Sequence, residues 1–201
     1  TSTGLAKFIE EKGGVHHRFK RGYRNVINES IRLNSLGQDS QLAIETSGHG
    51  ALKENYFLDD GAYLVTKLLI ELARGKKEGY TLESLIASLE EPAESIEFRM
   101  NIQQEDFKTY GQSVIDDLNN YAASQPGWSL APNNYEGVRV NLDSEHGNGW
   151  FLLRLSLHDP LLPLNIESNS IGGAKKIASE LAGFLSAYDK LDAASLINYA
   201  N

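Results

Sequence analysis

The sequence predicts an α/β layered unit followed by an α+β unit, and three observations carry that prediction. Strand and helix patterns alternate from residue 15 to residue 89, the rhythm of an α/β layer. Glu90-Glu91-Pro92 then interrupts a helical pattern, because proline lacks the N–H that a helix interior uses. Beyond it come four apolar strand patterns with explicit turns between the last three, one long helical pattern among them and another after them. These place a boundary near residues 91 and 92 and divide the chain into 1–91 and 92–201.

Leu5, Phe8 and Ile9 recur at helical spacing in the opening segment, which Gly13-Gly14 ends. Residues 15–19 read as a short strand, and Val26, Ile27, Ile31 and Leu33 mark a second helix. Residues 42–44 form a short apolar strand, and residues 58–72 a third helix bearing Leu64, Val65, Leu68, Leu69 and Leu72. Thr81 suits the N-cap of a further helix, whose buried stripe is Leu82, Leu85, Ile86 and Leu89. In the second half, strands are expected over 95–102, 138–142, 150–157 and 161–166, with helices over 106–124 and 171–188. Glu145-His146-Gly147-Asn148-Gly149 suits a hairpin turn, and His158-Asp159-Pro160 a sharp bend.

With 201 residues, 41% of them apolar, the chain is long enough to bury a core without a covalent staple. It has no cysteine, which excludes disulfides and thiolate metal sites and favours a cytoplasmic setting. No apolar run approaches the roughly 18 residues of a membrane span, and the opening residues lack the pattern of a secretion signal. The formal charge of −8 disfavours nucleic acid and acidic membrane as partners. Within the near-neutral first half, however, His16, His17, Arg18, Lys20, Arg21 and Arg24 form a cationic spot suited to a small anionic ligand.

Two segments hold residue types suited to a sugar phosphate. Ile44-Glu45-Thr46-Ser47-Gly48-His49-Gly50 follows a strand, where ligands collect in open α/β sheets. Glu45 accepts hydrogen bonds from vicinal hydroxyls, Ser47 both donates and accepts, and an extended chain would put the two on one side. His49 adds a group for proton transfer near neutral pH. The same residue types also make an ordinary turn with an internally satisfied polar cluster. In the segment 150–160, Arg154, Ser156 and His158 alternate onto one face, where a guanidinium fork, a hydroxyl and an imidazole form the parts of a phosphate cradle. A half-buried strand with a solvated polar face fits that pattern equally. Lys20, two residues before Gly22, suits contact with a ligand oxygen, and a solvated strand end fits it as well. Asp59-Asp60-Gly61 reads as the cap of the third helix, and no metal is assigned to it.

In order as well as motif, these segments resemble the α-D-phosphohexomutase family of phosphoglucomutases and phosphomannomutases. The resemblance rests on Thr1-Ser2 before a helix, Lys20-Arg21-Gly22-Tyr23, Glu45-Thr46-Ser47-Gly48-His49 and Asp59-Asp60-Gly61, then Gly137-Val138-Arg139-Val140 and residues 150–160. It implies a C-terminal fragment covering the later part of a three-layer sugar-binding third domain (1–91) and a phosphate-binding fourth domain (92–201), the latter with a four-stranded antiparallel sheet and flanking helices. The phosphate loop is a variant: where the family shows Arg-X-Ser-Asn-Thr or Arg-X-Ser-Gly-Thr, this chain has Leu157 and His158 after Ser156. Ile44 stands where the family has glycine before the sugar-loop glutamate.

The resemblance further implies an isomerase that interconverts hexose 1-phosphate and hexose 6-phosphate by phosphoryl transfer. Glu45 and Ser47 would hold sugar hydroxyls, Lys20 would lie near sugar or phosphate, and Arg154, Ser156 and His158 would hold the distal phosphate, with His49 as the candidate for proton transfer. The family's phosphoserine loop and Asp-rich magnesium loop do not occur here, so magnesium belongs to the parent enzyme and the fragment alone is expected to be inactive. The alternatives are a non-catalytic module that binds a sugar phosphate or a protein partner and, last in order, a hydrolase using His49 with Asp59 or Asp60, which no nucleophile motif accompanies.

Overall fold

Capping chemistry and strand pairing set the frame of a computed structural model that describes residues 2–132 and 134–201; Thr1, part of the opening motif, lies outside the described residues. The chain divides into two compact units, 3–90 and 91–201. Among the described residues no helix is long and apolar enough to cross a membrane.

The first unit contains α1 (Thr3–Glu11), α2 (Tyr23–Ser35), the antiparallel pair β1 (Leu42–Ile44) and β2 (Gly50–Leu52), α3 (Gly61–Glu78) and α4 (Leu82–Leu85). Leu42 faces Leu52 and Ile44 faces Gly50 across the hairpin. The buried side of α2, with Leu33, packs on this pair, and Ala43 and Ala51 are buried with it. Asp60 starts α3 by accepting the Tyr63 N–H at 2.9 Å, which satisfies one of the orphan donors of a first helical turn. The helix runs on through Lys76 and Lys77, past its last apolar residue, until Gly79 in the left-handed conformation closes it. Thr81 and Ser84 cap α4 reciprocally.

Three expectations for this unit change. Residues 15–19 form no strand, because a strand exists only where a partner takes its ladder bonds, and Val15 is 91% exposed. The sheet of this α/β layer narrows, among the described residues, to the two-stranded β1–β2 hairpin. The stripe after Thr81 is not buried: α4 ends after one turn, and Leu85 and Ile86 are exposed, as are Val65, Leu68 and Leu69 on α3.

The second unit contains β3 (Glu94–Ile102), α5 (Phe107–Ala122), β4 (Trp128–Leu130), β5 (Val138–Leu142), β6 (Gly149–Leu153), β7 (Leu161–Ser168), α6 (Gly173–Leu185), β8 (Leu191–Asp192) and α7 (Ala194–Ala200). Its sheet is antiparallel throughout, in the order β4-β5-β6-β7-β3-β8. The four expected strands are its consecutive centre. Two short edge strands, β4 and β8, widen the expected four-stranded sheet to six. Along β3, Phe98, Met100 and Ile102 are buried while Glu97, Arg99 and Asn101 are exposed, the period-two pattern of a sheet with one face on the core. Val114 and Leu118 of α5 and Ile177, Leu181 and Leu185 of α6 complete that core. Each such side chain contributes about 1.5–3 kcal/mol on burial, which makes this the better-consolidated unit.

The strand expected over 150–157 ends at Leu153. The register that pairs Leu153 with Leu164 sets Arg154 opposite Pro163. Arg154 donates its N–H to the Pro163 carbonyl at 3.1 Å, but proline has no N–H to return, and the ladder becomes one-sided there.

Candidate functional site

The loop between β1 and β2 is a tight turn. Glu45 donates its backbone N–H to the His49 carbonyl at 2.9 Å, and Gly48 donates to the Glu45 carbonyl at 3.0 Å. Gly48 has φ 90, a conformation that a Cβ would penalise. Residues 45–47 therefore do not stay extended, and the alternation expected to align Glu45 with Ser47 does not operate; the turn positions them instead. Ser47, Gly48 and His49 line an open cleft of about 400 Å³ with Asp59 and Gly61. Glu45 is held from another direction, its carboxylate accepting the Gly22 N–H at 2.6 Å. That contact brings Glu45 to the segment containing Lys20, whose ammonium lies 5.9 Å from the Phe19 ring centre.

His49 is the most constrained side chain of the loop. Its Nδ1 lies 2.7 Å from one Asp59 carboxylate oxygen, and the other oxygen accepts the Gly50 N–H at 3.2 Å. The Tyr23 ring stacks on the imidazole at 5.1 Å and 25°. Asp59 reaches this position through an antiparallel bridge with Ala51. The two acidic residues expected to cap α3 thus divide their work: Asp60 caps the helix, and Asp59 holds His49.

Part of the cationic spot is structural. Glu29 is buried, accepts two bonds from the Arg32 guanidinium at 2.7 and 2.8 Å, and lies 2.9 Å from His17 Nε2. The hydrogen bond from Arg32, joined by that from His17, lowers the Glu29 carboxyl to about 2 against the burial that opposes it.

In the second unit, Arg154, Ser156 and His158 follow β6. Arg154 and Ser156 keep the alternation of the strand, since Ser156 donates its N–H to the Leu161 carbonyl at 3.0 Å just as Arg154 donates to Pro163. Both are half-buried, whereas Leu157 and His158 are exposed. The Ser156 hydroxyl oxygen accepts the Asp159 N–H at 3.2 Å and closes the bend before Pro160. Gly137 passes so close that a Cβ there would lie 2.2 Å from the Leu153 carbonyl oxygen and 2.9 Å from Arg154 Cα.

Sequence reasoning missed Tyr23 as a member of the first site, and paired His49 with Asp59 or Asp60 only in the hydrolase reading. A spacing of ten between His49 and Asp59 carries no periodic signal, and only the hairpin and its extra bridge bring them together. Among the described residues no group of three or more His, Asp or Glu side chains is arranged to hold a metal ion. The described residues therefore do not fit the magnesium implied by the resemblance.

A family model described as phosphoglucomutase/phosphomannomutase, alpha/beta/alpha domain III, matches residues 1–92. A phosphomannomutase/phosphoglucomutase of Pseudomonas putida is 30% identical over 176 residues, covering 86% of this chain and 34% of that protein. The crystal structure of a phosphoglucomutase/phosphomannomutase family protein from Burkholderia thailandensis matches with a TM-score of 0.69 at 26% identity, over 92% of this chain and 35% of that one. The chain spans about a third of the length of these relatives. The first unit accordingly has the α/β fold of domain III of phosphoglucomutase/phosphomannomutase proteins, and the findings together support a fragment of that family.

Proposed function

We propose that this chain is the substrate-holding portion of a hexose-phosphate mutase, an intramolecular phosphotransferase. Residues 1–91 hold the sugar and residues 92–201 hold the phosphate, as third-domain and fourth-domain parts of the whole enzyme. The observation that carries this reading is the turn of residues 45–49, whose Ser47 and His49 line an open cleft and whose Glu45 carboxylate is held by the Gly22 N–H. Glu45 accepts bonds from sugar hydroxyls with the lone pairs that Gly22 leaves open, and Ser47 exchanges bonds with a neighbouring hydroxyl. A sugar hydroxyl that receives a phosphoryl group must lose its proton, and His49 takes it, returning it in the reverse transfer. Arg154 supplies a two-pronged grip on the distal phosphate, with Ser156 and His158 beside it, and Lys20 meets a ligand oxygen near Gly22.

The phosphoryl carrier and the magnesium that stabilises its transfer belong to the whole enzyme, a cytoplasmic protein, and the 201-residue chain by itself binds without turning over. Calorimetric titration with glucose 1-phosphate and mannose 1-phosphate tests this, with glucose and inorganic phosphate as partial ligands. Binding of the hexose phosphates that exceeds either partial ligand and is lost in Glu45→Ala supports the reading. Equal weak binding of all four would remove it, and mutase turnover by the purified chain would overturn the division of labour.

A further inference from the structure

We propose that Asp59 is the positioning residue that makes His49 a proton acceptor at Nε2; this rests on the reading of the 45–49 turn as a sugar site. A neutral imidazole carries its single proton on one ring nitrogen and a lone pair on the other, and only the lone pair can take a proton from a hydroxyl. An ionised carboxylate can accept a hydrogen bond but cannot donate one. The 2.7 Å contact from His49 Nδ1 to Asp59 therefore selects the tautomer with the proton on Nδ1 and the lone pair on Nε2. Among the described residues no hydrogen bond engages Nε2, and His49 lines the cleft with half of its side chain exposed.

Asp59 is itself fixed for this task. Its second oxygen takes the Gly50 N–H, its backbone bridges Ala51, and its side chain is only 26% exposed. Tyr23 stacked on the imidazole limits rotation of the ring away from the carboxylate. Asp60, one residue on, faces the first turn of α3 and does not share the role. An amide at position 59 would keep the shape yet lose the selection, because its NH2 group can donate to Nδ1 and push the proton to Nε2.

The test reads the tautomer directly, by long-range 1H–15N correlation of the imidazole nitrogens in the labelled 201-residue chain, at a pH where the rings are neutral. The chain has five histidines, and His49→Gln identifies the resonance. The wild-type ring is expected with its proton on Nδ1, Asp59→Asn with a shift of population toward the Nε2 proton, and Asp60→Asn, which keeps the cap, with the wild-type pattern. A proton on Nε2 in the wild type overturns the proposal without any variant, as does an unchanged tautomer ratio in a folded Asp59→Asn. Glucose 1-phosphate is titrated into the same wild-type sample. Failure to bind removes the sugar-site reading, whereas failure of the tautomer pattern removes the role of Asp59, so the two failures are distinguishable.

Discussion

The backbone N–H of Gly22 donates to the carboxylate of Glu45 at 2.6 Å, so the residue that opens α2 also anchors the turn carrying Ser47 and His49. Removing this acceptor frees the turn while touching little of the core. Glu45→Ala is expected to weaken hexose-phosphate binding by about tenfold or more, a loss near 1.4 kcal/mol. Stability should fall by only about 1 kcal/mol or less, because the donor is exposed and water replaces the lost acceptor. Titration calorimetry and thermal unfolding of the same preparation measure the two effects.

Acid sensitivity of the first unit should trace to Glu29. Its carboxyl lies at about 2 in the folded chain against an ordinary value of 4.5, so the folded state binds its proton less readily than the unfolded state. The stabilisation from Arg32 and His17 is therefore fully present above about pH 4.5 and disappears as pH falls toward 2. Glu29→Gln should be less stable near neutral pH and should lose less further stability across that window. Denaturant unfolding at closely spaced acid pH values, followed by a signal from the first unit, shows the difference between the two slopes.

Gly137→Ala should destabilise the second unit and disturb residues 153–156 together. Its φ of 132 disfavours any Cβ, and the added carbon would press on the Leu153 carbonyl and on Arg154. A loss of about 1–3 kcal/mol is expected in chemical denaturation. Backbone amide shifts at residues 153–156 should move in the folded fraction, whereas those of the first unit should stay.

The caps at Asp60 and Thr81 were legible because a helix start has a local chemical signature that needs no tertiary partner. The four central strands of the second unit were legible because each is long enough for its apolar pattern to show. The edge strands of three and two residues lie below that length, and α7 hides among alanines. Residues 15–19 misled for the opposite reason, since a strand-like composition does not supply a pairing partner. In the site, the residue types of the 45–49 turn and of Arg154 to His158 were readable, whereas the contacts that tension them, Gly22 to Glu45 and Asp59 to His49, depend on chain reversal.

Arg154→Lys separates a binding role from a structural one. A lysine keeps the charge but loses the paired donors of the guanidinium, so inorganic phosphate and hexose phosphate should bind about tenfold more weakly with thermal stability nearly unchanged. An arginine needed mainly for the fold would reverse that pattern, lowering the unfolding temperature and leaving affinity intact. His158→Thr, measured beside it over the same pH range, shows whether the exposed imidazole contributes to the phosphate grip at all.

The account stands most directly on one measurement, the response of the backbone amides of the 201-residue chain to glucose 1-phosphate in 1H–15N spectra. It predicts saturable shifts at Gly22 and residues 45–50 and saturable shifts at residues 154–159, with the core strands β3 and β5 unmoved. Inorganic phosphate alone should move the second group and spare the first. Shifts confined to other surfaces, or none at ligand concentrations that saturate a weak site, would contradict the assignment of these two loops to a sugar phosphate.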